Sequence, residues 1–433
     1  MSRGIYKITR VFALCMSLCV SFYFFVCGDV IRAGMNLVLG GCFLYFSYLF
    51  ENRYKMISPT YLFVFIVMYC VDSLASCFFT FEKIYEYDKT GINIGNQDYY
   101  SLYFWGTILT YVIVIFYLKY LSPKECVTEM KKNQQEKINL LGGCFICICL
   151  YYVFGGCAEF LYPVVALLLM ETIIDAKYRP YYLAALCILF VLFKNIFLVR
   201  FRFIQIVFPV AIMCVCLGQK RVEKKNMYKV YILMIVLLLF GLSYGVVSEV
   251  YKLNHQYGMD ISFDVVIKSK DLIWKYCMSQ MYRILVVWIK MGGYVIYEVQ
   301  RNGYYYGLTY VKALSGILGI DYISIPEIAA RYNGSTYCQT GLLAEGYANF
   351  GILGIVINLS IVFFVMEYFR YKYIKNSNMI NLCYMTVPFT KIILDGGSLN
   401  SAVALLFACF VMNSVNNLTY LKRNNMKIYI RRL

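Results

Sequence analysis

Three polar side chains stand at the head of one long apolar run. Residues 341–370 read GLLAEGYANFGILGIVINLSIVFFVMEYFR and carry Glu345, Tyr347 and Asn349 before the apolar stretch, which ends at Arg370-Tyr371-Lys372. The run is long enough to cross a bilayer. Hydrocarbon satisfies neither a carboxylate, a phenol nor an amide, so all three at the mouth of one run mark it out. A second group, Arg200 and Arg202 in FLVRFRFIQ, sits where one apolar run ends and the next begins. Two guanidiniums beside a helix N-terminus make an anion site, because the helix end adds free N–H groups and partial positive charge. Arginine also matches phosphate oxygens with paired hydrogen bonds. Snorkelling to lipid headgroups is the other reading of this pair. Arg283, Arg301 and Arg331 are further basic candidates, each of which also reads as solvated surface.

The chemistry is bounded by what the chain omits. His255 is the single histidine, which weakens histidine-based acid–base and metal chemistry. No glycine-rich phosphate loop and no dinucleotide fingerprint occurs. No cofactor is expected. A reaction here would use a substrate already held in the membrane, at the outer face, with a good leaving group.

These residues must be positioned by membrane helices. The 433 residues are 61% hydrophobic and 15% charged, which is the polytopic membrane class. Apolar runs near 8–27, 33–50, 59–79, 100–121, 138–154, 160–174, 181–199, 203–217, 230–249, 342–369, 379–395 and 398–418 predict an all-α bundle of about twelve spans. Segments 1–10, 51–57, 119–137, 175–180, 218–229, 370–378 and 419–433 together hold 25 Lys and Arg, whereas the short loops between them hold only Arg32, Lys83, Lys89, Arg200 and Arg202. That asymmetry places both termini in the cytoplasm. The net charge of +17 therefore reflects topology, and nucleic acid is not an expected partner.

The predicted organisation is an N-terminal bundle of about nine spans over 1–249, a large outer loop over 250–341, and C-terminal spans with a basic tail over 342–433. Residues 272–291 in the loop, interrupted by Lys275, Arg283 and Lys290, read as an amphipathic helix with Trp274 and Trp288 at the interface. Most of the 18 cysteines lie in apolar runs as small hydrophobes, Cys144 and Cys147 in CFICICL included. Cys277 and Cys338 share the outer loop and could pair. Asp72, Glu171, Lys194, Glu249, Lys391 and Asp395 fall inside spans, where an unpaired charge costs roughly 2.5–3.5 kcal/mol on insertion scales. Lys391 and Asp395, four apart, can satisfy each other. Asp72 and Lys194 have no local partner and either line a polar cavity or pair across the bundle.

The stretch GLLAEGYANFGILG, residues 341–354, resembles the signature of the O-antigen polymerase (Wzy) family. Members carry a Glu, an aromatic residue and Asn-Phe-Gly where a late span begins at the periplasmic side. The many spans, the cytoplasmic ends and the late outer loop agree with that family. Arg200 and Arg202 resemble its outer-face arginines, and RNGYYYGLTYVKAL resembles its Gly/Tyr-rich approach. The resemblance implies a glycosyltransferase that joins undecaprenyl-diphosphate-linked oligosaccharide repeats at the periplasmic face of the inner membrane. It implies Glu345 as base or acceptor-positioning group, and Arg200 and Arg202 on the diphosphate with help from Arg283 or Arg331. Tyr310, Tyr347 and Asn349 would bind sugar. Membrane lipids, a Wzz-type chain-length regulator and a Wzx-type flippase are the implied partners. A lipid-linked oligosaccharide flippase or transporter, and an O-antigen ligase, are the alternatives.

Overall fold

A backbone in hydrocarbon must satisfy its own N–H and C=O groups, so the apolar runs fold as helices. The computed structural model describes residues 2–54, 57–78, 99–122, 140–153, 158–174, 179–193, 208–214, 216, 287–310, 323–333, 340–376, 379–394, 399, 402–403 and 405–414. Every regular element among these residues is helical. Two units emerge: one comprises 1–127, 279–368 and 391–402, the other 128–278, 369–390 and 403–433.

In the first unit, α1 (Ser2–Val26) and α2 (Val30–Arg53) form a helical hairpin. The Asp29 side chain caps α2 by accepting from the Arg32 N–H at 3.0 Å, as an N-terminal Asp favours. Small polar residues draw the two helices together: Ser17 donates to the Asn36 carbonyl at 2.8 Å and Ser21 to the Ala33 carbonyl at 3.0 Å. The outward face of α1 carries Ile8, Val11, Phe12, Phe22 and Phe25, all exposed, as a lipid-facing helix should. Its inward face packs on Tyr61, whose hydroxyl meets Thr9 at 2.7 Å and Ser47 at 2.8 Å.

Ser58 and Pro59 start α3 (Pro59–Phe63), Ser as cap and Pro at the first turn. The chain then widens into a π-turn over Val64–Cys70 before α4 (Val71–Phe78). Next comes α5 (Tyr99–Phe116), continued by a second π-turn, Tyr117–Leu121. Later in the chain the unit gains α9 (Val287–Asn302), α10 (Ile325–Asn333) and the first part of α11 (Gly341–Asn376).

The second unit contains α6 (Leu140–Val153), α7 (Tyr162–Ile174) and α8 (Arg179–Leu192). Most of α12 (Met379–Leu394) belongs to it, as does α13 (Leu405–Ser414). Buried Cys147, Cys383 and Cys409 serve as small core residues there, the Cys383 thiol pointing at the Pro163 carbonyl at 3.7 Å.

The expected count of about twelve spans is corrected. Among the described residues four helices are long and apolar enough to cross a membrane: Gly4–Val26, Val30–Arg53, Ser101–Leu121 and Gly341–Ile374. Five more are apolar but shorter. The described helices within the runs at 160–174 and 181–199 are α7 and α8, of 13 and 14 residues. At 1.5 Å per residue each is about 20 Å long, short of the ~30 Å hydrocarbon core. The run at 230–249, with Glu249, lies outside the described residues, as do Lys194, Asp395, Trp274, Cys277 and Cys338.

Candidate functional site

The stretch that heads the last long helix does not continue straight into it. Within α11, Phe350 has φ −143° and ψ 22°, and Gly351 has φ +64° and ψ −143°. Only glycine enters that second conformation cheaply. The break folds arm 341–349 back along arm 352–376. Asn358 donates from Nδ2 to the Leu342 carbonyl at 3.0 Å, across 16 residues that a straight helix would spread over about 24 Å. The arms cross at Gly346 and Gly354, so closely that a Cβ on Gly346 would lie 2.5 Å from the Gly354 oxygen. The predicted span at 342–369 is therefore a helical hairpin with a short leading arm, about 13 Å long.

This fold-back buries the polar residues of the leading arm. Glu345 is buried, and its Oε2 accepts from the backbone N–H of Leu399. Asn349, fully buried, locks the hairpin tip to the turn over 303–310. Its Oδ1 accepts from the Gly307 N–H at 2.8 Å; its Nδ2 donates to Thr309 Oγ1 at 2.6 Å and to the Glu345 carbonyl at 2.8 Å. The Tyr305 N–H donates to the Ala348 carbonyl at 2.9 Å, satisfying a carbonyl at the end of the arm. Tyr310 donates its hydroxyl to Asn358 Oδ1 at 2.6 Å. Burial, then the nearby Glu345 charge, pushes the Tyr310 phenol up to about 12. Tyr347 is buried with its ring centroid 6.1 Å from that of Tyr304.

Helix α9 supports this tip from behind. Its Gly292 lies against Tyr103 of α5 and Ala344 of the leading arm. At its end, Glu298 accepts from the Tyr332 hydroxyl and from Asn302 Nδ2, the latter at 2.8 Å. Tyr294 and Tyr332 stack at 5.7 Å, clamping α9 to α10. Burial and the bond to Glu298 raise the Tyr332 phenol to about 12. Arg331, exposed at the end of α10, is close enough for its charge to oppose the upward shift that burial and Glu298 give Tyr305.

The structure thus brings Glu345, Tyr347, Asn349 and Tyr310 to one hairpin tip, with Arg331 beside the same turn. Arg200, Arg202 and Arg283 lie outside the described residues. Aromatic side chains that the sequence offers only as parts of the Gly/Tyr-rich stretch and of Asn-Phe-Gly surround the tip. Tyr306 is 74% exposed with φ +47°, and Tyr304 and Phe350 are also exposed. Their signal was the run of three tyrosines between Gly303 and Gly307. Asn358, missed by sequence reasoning, was visible as a lone amide inside an apolar run. Among the described residues no group of three His, Cys, Asp or Glu could hold a metal ion.

One protein-family profile matches residues 1–431 and is described as a family of unknown function. The chain belongs to the DUF6032 family. No curated protein and no solved structure matches it. The match runs through both units, so the DUF6032 profile embraces the hairpin tip, the tyrosine turn and the N-terminal helices together.

Proposed function

We propose that this membrane protein is a glycosyltransferase of the O-antigen polymerase type, joining undecaprenyl-diphosphate-linked oligosaccharide repeats at the extracytoplasmic face of the inner membrane. The observation that carries the reading is the folded-back arm 341–349. It gathers a carboxylate, a phenol and two amides at one point beneath a rim of exposed aromatic rings. Aromatic faces and hydrogen-bonding groups together suit a sugar, whose ring presents both C–H and hydroxyl surfaces. The topology that goes with this reading has both termini in the cytoplasm.

In the proposed reaction a sugar hydroxyl of one lipid-linked repeat attacks the anomeric carbon of the growing chain. The chain moves to the new repeat, undecaprenyl diphosphate departs with its bonding electron pair, and the hydroxyl proton passes to a base. Glu345 is the proposed base or acceptor-positioning carboxylate. Arg200, Arg202, Arg283 and Arg331 are the proposed cations on the departing diphosphate. Tyr310, Tyr347 and Asn349 shape the sugar site, and a chain-length regulator is the proposed protein partner.

The test is the surface glycan of a strain carrying Glu345→Gln. Polymer is expected to vanish, leaving single repeats on the lipid core, while protein abundance holds. Long chains in that strain would remove Glu345 from the mechanism. A second reading, a lipid-linked oligosaccharide transporter, is favoured by the same broken helix, since transporter sites use discontinuous helices. Deleting the chain separates the two: single repeats indicate a polymerase, and no repeats indicate a transporter.

A further inference from the structure

A buried carboxyl group lies elsewhere in the first unit, outside the proposed glycan site. Asp72 is fully buried in the first turn of α4, directly after the π-turn Val64–Cys70. It lies beside the Thr107 hydroxyl of α5. Among the described residues neither Asp72 oxygen nor the Thr107 hydroxyl has a hydrogen-bond partner. One turn further along α5, the Tyr111 hydroxyl is also buried without a partner, and the Asp72 charge acts on it. Four buried oxygens from two helices thus stand in one region, where protein interiors normally pair every such atom.

Among the described residues no cation acts on Asp72 or Tyr111. The titratable groups around Tyr111 are Asp72, Cys42 of α2, and Tyr69 and Cys70 of the π-turn. Of the described basic side chains of α1 and α2, Arg10 pairs with Glu51, Arg32 pairs with Asp29, Arg53 donates to the Ser122 and Lys119 carbonyls, and Lys7 is exposed. Single π-turns inside helices recur at functional sites, because the widened turn displaces the residues after it. Carboxylate plus hydroxyl oxygens are hard ligands, and one carboxylate balances one positive charge.

We propose that Asp72, Thr107 and Tyr111 form an intramembrane site for a monovalent cation, a proton that Na⁺ replaces when the carboxyl ionises. The site does not depend on the glycan reading, and its test does not use glycan.

The experiment follows the heat-unfolding midpoint of the purified full chain in detergent from pH 5 to 9. NaCl is compared with N-methylglucamine chloride at equal ionic strength. Ionising a buried carboxyl that has no partner costs stability, so the wild-type midpoint in N-methylglucamine should fall as pH rises. Added Na⁺ should restore it saturably at pH 8–9. Asp72→Asn, which keeps the shape and removes the charge, should be flat in both respects. Tyr111→Phe, which removes an oxygen that no protein group uses, should fold normally and weaken the Na⁺ response several-fold. A pH fall that Na⁺ does not reverse, still absent from Asp72→Asn, assigns the proton alone. Parallel responses in wild type and Asp72→Asn would overturn the site. So would an undiminished response in Tyr111→Phe, should Asp72→Asn not accumulate.

Discussion

Replacing Gly346 by Ala puts the hairpin itself on trial. The added Cβ would stand 2.5 Å from the Gly354 oxygen and 2.7 Å from its carbonyl carbon, whereas ordinary contact begins at 3.4 Å. The obstacle is backbone, so the two arms must part by about 0.9 Å at the crossing. Gly346 is four residues from Phe350 and Leu342 is eight, so an opening hinged at Phe350 roughly doubles at Leu342. The Asn358–Leu342 bond would then stretch from 3.0 Å to about 4.8 Å and be lost. Leaving a buried amide unpaired costs about 1–3 kcal/mol, and the overpacking costs about as much again. A loss of roughly 3 kcal/mol lowers the unfolding midpoint of a cooperative unit of about 200 residues by about 6 °C or more. The assay is heat unfolding of the purified protein beside Gly41→Ala. Gly41 has nothing within 4 Å of its would-be Cβ, so that change should be neutral or gain up to about 1 kcal/mol. If Gly346→Ala unfolds with the wild type or with Gly41→Ala, the arms do not cross as described.

Two other expectations concern the turn that ties down the tip. Asn349→Ala leaves the Gly307 N–H without its acceptor and removes the amide that donates to Thr309 Oγ1 and the Glu345 carbonyl, and should cost about 2–4 kcal/mol. Limited proteolysis within 303–310 reads this directly, with Asn349→Ala cleaved faster than wild type. Tyr310, raised to about 12 in the fold against an ordinary value of 10.0, keeps its proton longer folded than unfolded. Its contribution is intact below pH 10 and is lost as pH rises toward 12. Tyr310→Phe should therefore unfold more easily at neutral pH and show a shallower decline above pH 10; an unchanged alkaline slope would mean that Tyr310 is not the group responsible.

The long helices were readable because their signal is composition summed over many residues. The run at 8–27 became Ser2–Val26, that at 33–50 became Val30–Arg53, and that at 100–121 became Ser101–Leu121. The fold-back was hidden for the same reason. Residues on both sides of Phe350 are equally apolar, and Gly346, Gly351 and Gly354 all read as small packing residues in a continuous span. What separates them is conformation: Gly351 turns the chain, while the other two only permit contact. As described, α7 and α8 are shorter than the apolar runs that predict them, because hydropathy reports a segment's solvent preference and not how it is divided into helices. At the site, the signature stretch was rightly singled out. Its partners Thr309 and Asn358 come from 40 residues before Asn349 and from 16 after Leu342, distances over which no local pattern speaks.

The leading arm also alters how crossings are counted. Its nine residues, about 13 Å long, are too short to cross a ~30 Å hydrocarbon core and lie back against the second arm, so they add no passage of their own. Leu342 ends level with Asn358, about 10 Å along the second arm from the bend. Residues 352–374 alone keep the length of a span, so the whole stretch counts as one candidate crossing, with its polar arm laid against that helix.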